Sequence, residues 1–182
     1  MSEKHAALSA LGPDRTGLVA EVTEYLTSRG CNLEDSRMAV LGAEFGMLIL
    51  VSGPPDAIER AIADTKQLEK TTGLAIVTHL TKSPEEHRRS TVVPYVVNAE
   101  ALDHEGIVRA VATALHQLGT NIVSLETSAY NAPITGSPLF RLEALVDVPR
   151  EVSGATLRDA MAKVADRENI DVEVRSVARR GA

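Results

Sequence analysis

The chain repeats itself, and no other feature of the sequence restricts its fold as strongly. Asp14 and Asp103, Gly17 and Gly106, Gly30 and Gly119, and Asn32 and Asn121 are each separated by 89 positions. Further on, Phe45 and Phe140, Val51 and Val146, and Pro54 and Pro149 are each separated by 95. The change of offset places a six-residue insertion between the two sets of anchors. Its natural home is the turn-rich stretch from Asn131 to Pro138. The 182 residues are therefore two copies of one module. The polar, Pro-containing stretch from Lys82 to Ser90 separates them, which predicts a first domain over 1–81, a linker over 82–90 and a second domain over 91–182. The Arg88 and Arg89 pair in that linker reads as a solvated segment rather than a nucleic-acid patch.

Hydrophobic periodicity assigns the elements of each copy. In the first, Ala6 to Leu11 reads as a strand, followed by a helix with Leu18, Val22, Tyr25 and Leu26 on one stripe and Gly30 at its end. Leu33 to Leu41 and Phe45 to Ser52 form a hairpin around Gly42, Ala43 and Glu44. A second helix starts at Pro54, Pro55 and Asp56 with Ile58, Ile62 and Thr65 on one face, and Leu74 to Leu80 is the last strand. The second copy matches. Ile107, Val111, Ala114, Leu115 and Leu118 stripe its first helix. Leu157, Met161 and Val164 stripe its second, with Ser153 as N-cap, and Ile170, Val172 and Val174 alternate in the final strand. The order βαββαβ predicts an α+β fold: two tandem ferredoxin-like domains, each an antiparallel sheet with both helices on one face. The opposite sheet face carries Arg141, Glu143 and Asp147 in the second copy but Gly46, Leu48 and Leu50 in the first. An apolar outer face predicts a covering contact.

Composition narrows the function. A net charge of −6 argues against direct nucleic-acid binding, and 3% aromatic residues leave little for base stacking. One cysteine excludes a disulfide framework and a cysteine-based zinc site, and the five histidines have no metal-ligand spacing. Cys31 reads as a small packed residue. The polar N-terminal residues and the absence of a long apolar run predict a cytoplasmic protein with no membrane contact.

The repeated signature falls where the first strand of each copy hands over to its helix. Gly17 and Gly106 stand at helix starts, where unpartnered N–H groups favour an anion such as a carboxylate. Asp14 and Asp103 can either cap the helix or hold an ammonium group. Asn32 and Asn121 open strand two, beside that loop, and offer both donor and acceptor. Together these groups suit a zwitterionic amino acid, although turn and cap chemistry alone also accounts for them.

The run Ala10-Leu11-Gly12-Pro13-Asp14-Arg15-Thr16-Gly17-Leu18-Val19, followed by Gly30-Cys31-Asn32-Leu33 and by Leu41-Gly42-Ala43-Glu44-Phe45, resembles the first half of the glycine cleavage system transcriptional repressor family. That family is a tandem pair of ACT domains. The resemblance implies a non-catalytic, amino-acid-responsive regulator without cofactor or metal. It would act on a transcription activator by protein contact, as a homodimer, with glycine among the candidate ligands. ACT domains similar to these pair side by side and bind an amino acid where the strand-one loop of one meets strand two of its neighbour. Carried over, this marks Gly12, Asp14, Arg15, Gly17, Leu18 and Asn32, and in the second copy Asp103, His104, Gly106, Ile107 and Asn121. The second loop departs from the pattern, with Ala101 in place of Gly12 and His104 in place of Arg15. A ligand-free dimerising adaptor is the competing expectation. The same loop also resembles the leading ACT domain of formyltetrahydrofolate deformylase, but no residues remain here for a catalytic domain.

Overall fold

A computed structural model of the chain describes residues 3–87, 91–133 and 135–177. Arg88, Arg89 and Ser90 of the expected linker and Ile134 of the expected insertion lie outside the described residues. The chain divides into two compact units, Met1–Arg88 and Arg89–Ala182.

The first domain runs β1 (Lys4–Pro13), α1 (Leu18–Ser28), β2 (Asn32–Leu41), β3 (Glu44–Gly53), α2 (Pro55–Ala63), α3 (Thr65–Thr72) and β4 (Ala75–Thr81). A short turn of helix, α4 (Pro84–His87), follows. The second domain runs β5 (Val92–Leu102), α5 (Ile107–Gln117), β6 (Asn121–Asn131), β7 (Pro138–Pro149), α6 (Gly154–Glu168) and β8 (Asp171–Ser176). Each sheet is antiparallel, with orders β2-β3-β1-β4 and β6-β7-β5-β8. This is the expected ferredoxin-like order.

Strand alternation decides which face is dry. Ala6, Leu8 and Ala10 of β1 and Phe45, Met47, Ile49 and Val51 of β3 are buried against Leu18, Val22 and Leu26 of α1 and Ala57 and Ile58 of α2. The second core repeats this with Val97, Ala99, Leu142, Ala144 and Val146 against Val111, Leu115, Leu157 and Met161. Both first helices end alike. Gly30, at φ 82°, donates to the Thr27 carbonyl at 3.0 Å, while the Cys31 N–H reaches Leu26 at 3.1 Å. Gly119 and Thr120 make the same two bonds to His116 and Leu115, at 2.9 and 3.1 Å. The paired bonds close a left-handed helix end that glycine adopts without strain. Ser153 caps α6 as expected, its hydroxyl accepting from the Thr156 N–H at 3.0 Å.

One element differs from the periodicity. Ile58, Ile62 and Thr65 do not share one helix, because the helix stops at Ala63 and restarts at Thr65. The cause is tertiary. The buried Tyr25 hydroxyl donates to the Ala61 carbonyl at 2.7 Å, the acceptor that a continuous helix would offer to Thr65. Asp64 at the break is held by Arg29 at 3.3 Å.

Both second strands carry an irregularity at the same place. Register shifts between Leu33 and Asp35 in β2 and between Ile122 and Ser124 in β6. Glu34 and Val123 are the extra residues, and Glu34 sits 3.3 Å from His5 on β1.

Candidate functional site

The loop from β1 to α1 is built by backbone first. Gly17 is the N-cap of α1 at φ 95°, and Gly106 is the N-cap of α5 at φ 100°. A side chain at such a φ is strained, which explains glycine at both positions. Neither N-cap is accompanied by a side-chain cap. Asp14 and Asp103 therefore do not cap these helices, and the capping alternative falls. Their main chains are tied to the hairpins instead. The Asp14 N–H donates to the Ala43 carbonyl at 2.9 Å, and the Asp103 N–H donates to that of Pro138 at 2.9 Å. The Asp14 side chain is exposed, three residues before the N-cap Gly17.

Leu18 and Ile107 are each 2% exposed, so their side chains belong to the cores. What they can offer the loop is the main-chain N–H, which has no intrahelical partner in a first turn. Gly12 is explained by packing. A Cβ there would sit 3.0 Å from the Gly73 carbonyl and 3.1 Å from the Leu74 side chain.

Arg15 and His104 do the same job with different chemistry. Arg15 makes a two-pronged ion pair with Glu21, at 2.5 and 2.7 Å, and reaches the Thr71 and Thr72 carbonyls at 3.3 and 3.4 Å. His104 contacts the Glu168 carbonyl through Nε2 at 3.0 Å. Each residue links the loop to the last carbonyls of the helix behind it, where a donor is favoured. The hydrogen bond and charge of Glu21 raise the Arg15 pKa, and Arg15 in turn holds the Glu21 carboxyl below its ordinary range. Sequence reasoning missed Glu21. Its place one helical turn after Gly17 was the available signal.

The placement of Asn32 is a correction. It does not lie beside the loop of its own domain. Asn32 pairs with Ser52, whereas Leu41 and Pro13 pair with Glu44. Eight residue steps separate Ser52 from Glu44 along β3, about 27 Å at strand spacing. Asn121, paired with Asp147, is remote from Asp103 in the same way. The reason is topological: α1 carries the chain back down, so β2 starts at the opposite end of the sheet. No single domain gathers the aspartate, the helix start and the asparagine.

Cys31 is 5% exposed, and burial raises its thiol pKa. The native protein is expected to react slowly with a thiol-specific chromogenic reagent and to titrate one thiol on unfolding. Prompt reaction of the folded protein would contradict this burial. Among the described residues, no three His, Cys, Asp or Glu side chains converge on a metal-sized site. No described helix is long and apolar enough to cross a membrane.

An ACT-domain family model matches residues 5–79, and a second ACT-domain model matches residues 94–175. The glycine cleavage system transcriptional repressor of Escherichia coli (strain K12) is 47% identical over 57 residues, 31% of this chain. The repressor of the same name from Shigella flexneri gives the same figures. The matched segment spans only 30% of the length of these relatives. Among solved structures, a protein of unknown function from Galdieria sulphuraria superposes with a TM-score of 0.80 at 31% identity, over 97% of this chain and all of its own. A candidate glycine cleavage system transcriptional repressor superposes with a TM-score of 0.73 at 23% identity, over 98% of this chain and 100% of its own. The second likeness speaks to the fold.

Proposed function

The chain belongs to the ACT-domain family, with two such domains in tandem, and from that premise we propose a non-catalytic, amino-acid-sensing regulator that works as a homodimer. The observation that carries the reading is the repeated loop: a helix start without a side-chain cap, next to an exposed carboxylate that caps nothing. The first-turn N–H groups of Leu18 and Val19 take the α-carboxylate of the ligand. The Asp14 carboxylate takes its ammonium group. Asp103, Gly106 and Ile107 form the matching loop of the second domain. Arg15 and His104 are positioning residues that hold each loop to the helix behind it.

Asn32 enters from a second copy. β2 is an edge strand, and its core-side residues Met38 and Val40 are 36% and 51% exposed. An apolar open edge invites pairing. A second β2 laid antiparallel along that edge reverses direction. Its Asn32 then arrives level with Leu41, next to the loop. The 27 Å separation of about eight steps inside one domain thus becomes adjacency across two. The same geometry brings Asn121 to a second-domain loop if β6 pairs likewise. Ligand binding favours the paired arrangement by its differential affinity, and a protein partner reads that arrangement. The local likeness to a transcriptional repressor makes a transcription activator the partner of this proposal, touched by protein contact in the cytoplasm. The net charge of −6 suits regulation without direct DNA binding.

Calorimetric titration with a panel of amino acids, glycine and serine included, tests the reading. At least one is expected to bind more tightly than about 1 mM. Asp14→Ala is expected to weaken that binding by about tenfold or more, the range for a charge-assisted hydrogen bond. Its urea midpoint should stay near that of the parent, since Asp14 does not cap α1. No binding across the panel leaves a dimerising adaptor and removes the sensor.

A further inference from the structure

The two sheets share a register but not an outer face. In the first, Leu48, Ser9 and Val77 stand in one row across β3, β1 and β4, and Leu11 lies in the next row between Gly46 and Ala75. In the second, Glu143, Asn98 and Glu173 form the corresponding row, and Glu100 lies between Arg141 and Asp171. Thus Leu11, Leu48 and Val77 occupy the positions of Glu100, Glu143 and Glu173. The three apolar side chains are 59%, 53% and 53% exposed. One fold has kept one outer face fit for water and the other not.

We propose that the outer face of the first sheet is an interface to a second copy of this chain. Three observations choose that occupant. First, the face is flat. Gly46, Ala7, Ser9 and Ala75 are small, and the Leu11 side chain reaches over Gly46, with its Cδ1 3.6 Å from where a Cβ would stand. Flat faces suit packing of sheet on sheet. Second, it carries few ionisable groups: Arg37 pairs with Asp35 at 2.6 Å at its border, Glu44 lies at one end, and His5 and His79 lie toward the other. A like face meets little repulsion there. The second sheet could not do this, since Glu100, Glu143, Glu173 and Glu126 outnumber Arg141 and Arg175 on its outer face. Third, the area suffices. Four strands about 4.8 Å apart and about 30 Å long offer roughly 600 Å² a side, the lower end of a specific interface. This contact is separate from the β2 edge and stands without the ligand reading.

Light scattering on the purified full chain tests it. The triple variant Leu11→Glu, Leu48→Glu, Val77→Glu borrows the residues of the second sheet, which the same fold already carries at these positions. Its mass is expected to be half that of the parent: a tetramer becoming a dimer, or a dimer becoming a monomer. An unchanged mass overturns the proposal. A second measurement covers the case in which the triple variant misfolds. Ser9→Cys, at the centre of the apolar row, is expected to give a disulfide-linked dimer on mild oxidation, while Asn98→Cys at the matching place of the second sheet is not. No cross-link at Ser9, or equal cross-linking at both, overturns it.

Discussion

An Ile49→Ala variant is expected to lose about 2–5 kcal/mol from the first domain, read as a fall in its urea midpoint. Ile49 has no exposed surface and stands on β3, paired with Leu8 on one side and Ser36 on the other. Truncation leaves a hole that the sheet cannot close, because the backbone positions of three strands are fixed by their ladders. Single domains hold only about 5–15 kcal/mol in all, so the loss is a large share. The second domain shows what compensation looks like. Ala144 stands at the same register as Ile49, equally buried, and its β6 neighbour is Leu125 where the first domain has Ser36. Volume removed from one strand is returned by the next, and Leu125 packs on that core. Ser36→Leu added to Ile49→Ala is therefore expected to recover about 1–2 kcal/mol, a coupling of the size seen between touching residues. A double variant no more stable than Ile49→Ala would show that the two cores are not interchangeable at this layer.

Tyr25→Phe is expected to cost about 1–3 kcal/mol, although it removes a single oxygen. The Tyr25 ring is 7% exposed and its hydroxyl meets the Ala61 carbonyl at 2.7 Å. Phenylalanine keeps the packing and the Arg29 guanidinium stacked at 3.7 Å over the ring. It leaves the carbonyl without that donor. The helix has one response, which is to close through Asp64 so that the Thr65 N–H bonds to Ala61. A gain in the helical signal at 222 nm with a small loss of stability would report that closure. A large loss with no gain would report an unpaired carbonyl. The parent should also show a pH limit. Burial, and then the nearby Asp64 and Cys31 against Arg29, leave the Tyr25 pKa raised. Its contribution is complete below the unfolded value of about 10 and declines as pH rises through the folded value.

The fold was legible because the repeat checked every assignment twice. Gly30 and Gly119 mark the same helix end, and the turn-rich stretch after Asn131 lies at the one hairpin whose length differs between copies. Two things were not legible. The break at Asp64 depends on a hydroxyl from another helix, and no periodicity within α2 and α3 carries that information. The position of Asn32 depends on which end of the sheet a strand enters. Sequence proximity to Gly30 said that it follows a helix, but the helix had returned the chain to the far end. Arg15 shows a different limit. The family resemblance marks it as a ligand contact, and the structure adds that Glu21 and two carbonyls hold its guanidinium.

The extra residue in β2 acts on the strand as a phase change. Leu33 packs against the core, yet Asp35, an even number of places later, pairs on the outer face beside Leu50. Glu34 absorbs the difference, so the strand begins in one alternation and continues in the other. Val123 does so in β6 with an unrelated side chain. What has been kept through divergence is thus a count and not a chemistry. Were Glu34 an ordinary member of an unbroken pleat, Leu33 and Asp35 would share a face, forcing either the apolar or the charged one to the wrong side. An exchange of this segment between the copies swaps Glu34 for Val123 and leaves the phase change in place.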